Sequence, residues 1–186
     1  MKKIVSAVLA AFLLSAAAAH AAPAGRGKNI LVAYFSYSGN TANIAKEIHR
    51  RTGGDLFEIT IVDSYPSDYH ACLARAKDEQ QKDARPKLLS KLADVKKYDT
   101  VYLGYPNWWA SIPMPIASFL EEYDLSGKKI IPFCSHGGGR LGRSVSAIAK
   151  LCPDSEICEA LSVHYGGGGT LSRDIDAWLA RLAAEK

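Results

Sequence analysis

The chain has 186 residues, of which 48% are hydrophobic and 23% charged, enough for one domain with its own core and too short for two. Its formal net charge is +4 with the basic residues scattered, which argues against nucleic acid and against a polybasic membrane mode. No repeat or low-complexity tract is present.

Residues 1–21 read as a signal peptide. Lys2 and Lys3 precede an apolar run broken only by Ser6 and Ser15, and Ala19-His20-Ala21 supplies a small-x-small cleavage pattern. The run is short for a membrane span, which needs about 20 residues, so no stable membrane insertion is expected. The expected product is a periplasmic or secreted domain over 22–186, whose formal charge falls from +4 to +2 with the loss of Lys2 and Lys3. In an oxidising compartment Cys152 and Cys158, which flank the turn signal Pro153-Asp154, are the best candidates for pairing; Cys72 and Cys134 read equally well as small buried hydrophobes. Without a Cys-x-x-Cys and with dispersed histidines, no metal site is expected.

Strands and helices then alternate. A strand over 30–35 runs into a helix over 41–51, stopped by Thr52-Gly53-Gly54, and a strand over 56–61 follows. Ser67 is the expected cap of a helix through 69–77. Next come a strand over 100–104, a loop over 105–112, a helix over 115–123, a strand over 129–134, glycines over 137–139 and a helix over 143–151. A fifth strand over 157–163 gives way to glycines over 166–169, and Ser172 is the expected cap of a terminal helix ending near 184. Short continuous apolar strands alternating with helices imply a parallel sheet buried on both faces. In such sheets ligands bind beyond the carboxyl ends of the strands, so the loops after the first, third and fourth strands carry the chemistry.

In the first loop, Ser36-Tyr37-Ser38-Gly39-Asn40-Thr41, two hydroxyls precede a glycine at the start of a helix. Free amides and the positive end of the helix dipole make that a phosphate cradle. It lacks the Lys-Ser/Thr pair of a nucleoside-triphosphate loop, and with no lysine or arginine it suits a monoester phosphate held by neutral donors. The second loop, Tyr105-Pro106-Asn107-Trp108-Trp109, holds two adjacent tryptophans. In extended backbone they point to opposite sides, one inward and one toward a cleft suited to a planar ring. The third, Ser135-His136-Gly137-Gly138-Gly139-Arg140-Leu141-Gly142, allows close backbone approach and carries a histidine. Gly137-x-Gly139-x-x-Gly142 follows the wrong strand for a dinucleotide fingerprint, and the chain has no Gly-x-Ser-x-Gly elbow to make His136-Gly137-Gly138-Gly139 an esterase oxyanion motif.

The motifs Phe35-Ser36-Tyr37-Ser38-Gly39-Asn40-Thr41, Gly104-Tyr105-Pro106-Asn107-Trp108-Trp109 and Pro132-Phe133-Cys134-Ser135-His136 resemble one branch of the flavodoxin family. The resemblance implies a flavodoxin-like α/β three-layer sandwich of short-chain form, with a five-stranded parallel sheet in the order 2-1-3-4-5, and FMN as cofactor. It implies phosphate binding by the hydroxyls of Ser36, Ser38 and Thr41 and by the amides of Tyr37, Gly39 and Asn40. Pro106, Asn107, Trp108 and Trp109 would line one side of the flavin ring, and Ser135, His136, Gly137 and Gly138 the other edge. His136 is the expected hydrogen-bond or proton donor to the reduced cofactor. The chain departs from electron-carrier flavodoxins in being slightly basic, in placing His136 and glycines where a tyrosine often stacks, and in its export signal. The expected function is an FMN-dependent oxidoreductase reducing quinones or similar small acceptors. A protein-to-protein electron carrier and a cofactor-free binding module are the alternatives.

Overall fold

The computed structural model describes residues 29–184; the expected signal peptide lies outside them. The elements are β1 (Ile30–Tyr34), α1 (Asn40–Thr52), β2 (Asp55–Glu58), α2 (Tyr69–Gln81), β3 (Thr100–Pro106), α3 (Met114–Glu122), β4 (Lys129–His136), α4 (Ser144–Leu151), β5 (Glu156–Ile157), β6 (Leu161–His164) and α5 (Leu171–Ala184). Every strand pairing is parallel, in the order β2-β1-β3-β4-β5, with β6 also on β4. The expected fifth strand is thus one strand position occupied by two pieces: Glu156 and Ile157 pair with Lys129 and Ile130, while Leu161 to His164 pair with Phe133 to His136.

Two cores lie on opposite faces of the sheet. Leu31, Ala33, Val101, Leu103, Ile130 and Cys134 point to one side, against Ile116 and Phe119 of α3 and Ile148 of α4. Val32, Tyr34, Tyr102, Ile131 and Phe133 point to the other, against Ile44 and Ile48 of α1 and Ile175 and Trp178 of α5. The period-two alternation of side chains along each strand feeds both cores at once, which is why strands β1, β3 and β4 are apolar throughout. Trp178 is fully buried, and its Nε1–H donates to Glu159 O at 3.0 Å in the gap between β5 and β6. At Gly104 a Cβ would stand 2.2 Å from the Phe133 ring, so this position of β3 has room for glycine alone.

Local signals explain the helix ends and correct two expected caps. Gly53 (φ 69°) closes α1 in the left-handed conformation, its N–H donating to His49 O, with His49, Arg50 and Arg51 complementing the helix dipole. Helix α2 is capped by Asp68, not Ser67: the Asp68 carboxylate accepts from Ala71 N at 2.8 Å, and the helix runs on to Gln81. Ser172 lies inside α5, where its hydroxyl accepts from Arg51 at 2.6 Å and so ties α5 to α1. No disulfide joins Cys152 and Cys158; Cys152 is buried, which pushes its thiol up to about 11, and the Cys158 thiol donates to Glu156. Among the described residues no helix is long and apolar enough to cross a membrane, and no group of side chains is placed to hold a metal ion.

Candidate functional site

The chain leaves β1 through Phe35, whose N–H still donates to Gly104 O at 2.9 Å, and turns at Ser36 to Gly39 into α1. Gly39 makes the turn in the left-handed region (φ 84°), and its carbonyl accepts the Asn43 N–H. The Ser36 hydroxyl accepts from Ala42 N at 3.2 Å, and Asn40 Nδ2 donates to Ser38 Oγ at 3.1 Å. Among the described residues the amides of Tyr37, Ser38, Gly39, Asn40 and Thr41 have no protein acceptor. These donors lie at the positive end of the α1 dipole, where anions are favoured. The Tyr37 hydroxyl donates to Pro66 O at 2.7 Å and fastens the loop to the segment before α2. Thr41 is buried, and its hydroxyl lies 2.8 Å from that of Ser135, itself buried at the end of β4.

The tryptophan loop is a tight turn, not extended backbone. Trp108 and Ser111 exchange two backbone hydrogen bonds (3.1 and 3.0 Å), and the two residues between them, Trp109 (φ 50°) and Ala110 (φ 60°), are both left-handed. This geometry normally calls for Asn-Gly. It separates the rings. Trp108, half-buried, stands edge-on to Phe35, Tyr37 and Tyr65 with centroids 5.5, 5.8 and 4.9 Å away. Trp109 turns outward onto α2, where its Nε1–H donates to Leu73 O at 3.2 Å. Behind Trp108, Tyr65 donates to the buried carboxylate of Glu79, which also receives Arg75, and the Arg75 guanidinium lies over the Tyr65 ring. Burial and the Glu79 carboxylate hold the Tyr65 hydroxyl firmly in its protonated form.

The glycine loop is bound to both neighbours. Asn107 donates from Nδ2 to Arg140 O at 2.5 Å and from its backbone to Ser135 O at 2.8 Å. Gly142, left-handed, lies so close to Ala110 that a Cβ would be 2.4 Å from its carbonyl oxygen. His136 Nδ1 accepts from Gly138 N at 3.0 Å, so its proton sits on Nε2. Partial burial, then His164, then Arg140, lower the imidazole pKa, which favours that neutral tautomer. Gly138, at φ 135°, is exposed with nothing near its missing side chain.

The three loops therefore meet: Thr41 reaches Ser135, Tyr37 reaches Trp108, and Asn107 reaches the glycine loop. Of the expected site residues Trp109 alone is carried away from the others. Tyr165, which follows β6, joins them without having been expected. Its N–H donates to His136 O at 2.8 Å, its ring is beside Gly137, it is more than half exposed, and its backbone is left-handed (φ 48°). Its only sequence signal is an aromatic between a histidine and a glycine run at the end of the fifth strand. Two depressions flank the meeting point. One, of about 470 Å³, includes Ser36, Tyr37, Glu58 and Tyr65; the other, of about 540 Å³, includes His164, Tyr165 and Asp174. Both volumes suit small-molecule ligands. The sheet edge thus offers an anion cradle beside an aromatic wall and an open glycine loop.

The family model for flavodoxin matches residues 29–180. Among solved structures the chain is similar to a candidate flavoprotein from Bacteroides eggerthii, at 34% identity and TM-score 0.73 over 84% of this chain and 99% of that one. A second, from Bacteroides uniformis, is 31% identical at TM-score 0.72 over 81% and 99% of the two chains. A flavoprotein from Lactobacillus acidophilus, solved in complex with FMN, shares the fold at 20% identity and TM-score 0.67 over 82% and 99%. No curated protein matches the chain.

Proposed function

The chain belongs to the flavodoxin family, and from that premise we propose that it is an exported FMN-binding oxidoreductase passing electrons to a quinone or similar small acceptor. The observation that carries the flavin reading is the run of unpartnered amides from Tyr37 to Thr41, with Ser36 and Ser38, at the α1 N-terminus beside Trp108. The donor set fits: neutral groups without a lysine or arginine suit a monoester phosphate, and Trp108 with Pro106 offers an apolar wall for a flat ring. The resident group would supply the redox chemistry, while the protein orients and tunes it. Ser36, Ser38 and the loop amides would hold the phosphate. Thr41, occupied by Ser135, would set the distance between the cradle and the glycine loop. His136 carries a proton on Nε2 at the loop edge, where it can donate a hydrogen bond to a ring or an acceptor.

Titration of the apo protein with FMN and with riboflavin tests this reading. Ser36→Ala with Ser38→Ala should weaken FMN and leave riboflavin, which lacks the phosphate, unaffected; neutral hydrogen bonds of this kind contribute about 0.5–1.5 kcal/mol each. Equal losses for both ligands, or no binding by the parent chain, would overturn it. Acceptor choice is read from reoxidation of the photoreduced protein by a benzoquinone. Export rests on Lys2, Lys3, the apolar run and Ala19-His20-Ala21; a mature N-terminus at Ala22 in the secreted fraction checks it.

A further inference from the structure

Among the described residues, lysines without an ion pair are spread over several elements, whereas the arginines without one lie in a single loop. Arg50, Arg51, Arg75, Arg85, Arg173 and Arg181 all pair with carboxylates. Among the described residues the arginines without an ion pair are Arg140 and Arg143, both exposed and both in the loop after β4. Lys77, also without a carboxylate partner, reaches over the Trp109 ring with its Nζ 5.1 Å from the centroid. Trp109 is 40% exposed, yet it is held from two sides. Its Nε1–H is bound to Leu73 O on α2, and the adjoining Ala110 O accepts the Arg143 N–H at 2.7 Å. The neighbouring carboxylates Asp78 and Asp83 are engaged by Lys82 and Arg85.

A rigidly held, exposed tryptophan next to a loop with two free arginines has the composition of a protein-binding hot spot, where Trp and Arg are enriched. Cations without local partners steer an oppositely charged molecule from a distance. These cations come from two separate segments, α2 and the loop after β4, which both bind the 108–111 turn, and that spread fits an extended acidic surface. The turn is also continuous with the candidate flavin site, since Trp108 precedes Trp109 and Asn107 is bound to Arg140.

We propose that the face formed by Lys77, Trp109, Arg140 and Arg143 docks an acidic redox protein that delivers electrons to the flavin. The proposal rests on the flavin reading above. In each encounter the partner's reduced centre loses one electron and the flavin gains it; two encounters and two protons from water complete the reduction.

The test uses the FMN-loaded full chain, with loading verified by visible absorbance before any donor is added, so that a failure to bind flavin is seen separately. Pre-reduced acidic plant-type ferredoxin is mixed with it, and flavin reduction is followed at about 20 mM and about 0.5 M salt, a range that spans weak to strong screening. The expected rate falls roughly tenfold with salt, and falls as far at low salt in Arg140→Glu with Arg143→Glu. Lys77→Glu with Arg143→Glu, which leaves the left-handed Arg140 untouched, should give the same loss. Indifference of the ferredoxin rate to salt and to both charge reversals would overturn the proposal. So would salt-sensitive oxidation of the reduced protein by ferricyanide combined with a salt-insensitive ferredoxin rate, an outcome that marks a small-anion site.

Discussion

The hydroxyls of Thr41 and Ser135, 94 positions apart in the chain, lie 2.8 Å from each other in a buried contact between the first turn of α1 and the end of β4. One hydroxyl donates and the other accepts, so each is the other's answer to burial. Thr41→Val or Ser135→Ala leaves the remaining hydroxyl unmatched and should cost about 1–3 kcal/mol in urea denaturation of the apo protein. The double variant should cost less than the sum of the two, because no unmatched group is left behind.

His136 ties stability to pH. Its folded-state pKa lies below the ordinary value of 6.5, through partial burial and then the neighbouring His164 and Arg140. Below 6.5 the unfolded chain takes up the proton more readily than the folded one, so this contribution is present above that pH and is lost as the pH falls toward the folded pKa. Protonation also removes the acceptor that Nδ1 offers to Gly138 N. Thermal unfolding followed between pH 8 and pH 5 should show a decline that His136→Gln reduces.

Tyr65→Phe removes the donor to Glu79, a carboxylate 9% exposed that would then keep Arg75 alone. A loss of about 1–3 kcal/mol is expected. Because Tyr65 also meets Trp108 edge-on at 4.9 Å, the same variant should alter tryptophan emission in the native state, which a remote destabilisation would leave unchanged.

Gly104→Ala forces a methyl to 2.2 Å from the Phe133 ring. The strand register would have to shift or Phe133 leave its rotamer, and overpacking of this kind costs about 1–3 kcal/mol or more. A markedly lower melting temperature, partly restored by Phe133→Leu, is the expected result.

Ala110→Gly should go the other way. Ala110 is exposed and left-handed at φ 60°, a conformation that costs an L-residue about 1–2 kcal/mol and glycine almost nothing. The gain is offset in part by the greater freedom of glycine in the unfolded chain, so a small rise in denaturation midpoint is expected.

The parts of this molecule that were legible in the sequence are those where local pattern and tertiary structure agree. Strands β1, β3 and β4 are continuous apolar runs because they are covered on both faces, and Gly39 and Gly53 stand where left-handed turns bound α1. The three loops were legible because each interrupts such a strand with residues that no core would use. The rest depends on contacts distant in sequence. Residues 157–163 form an unbroken strand-compatible run, yet Glu159 leaves the sheet, its carbonyl taken by Trp178 and its carboxylate by Arg181. Nothing in Trp108-Trp109 announces a left-handed turn, since neither residue favours positive φ; the turn is imposed by Ser111, Arg143 and Leu73. Asp68 outcompetes Ser67 as a cap because its carboxylate reaches the Ala71 amide.

The outer positions of the sheet are short. β2 spans four residues, and on the far side β5 and β6 offer two and four residues separated by a break. Among the described residues, an incoming strand from another chain would find no rail longer than four residues at either border, which deprives edge-to-edge fibril growth of a template. The departure of Glu159 from the ladder, forced by a buried tryptophan, thereby also guards the protein against polymerising through its own backbone.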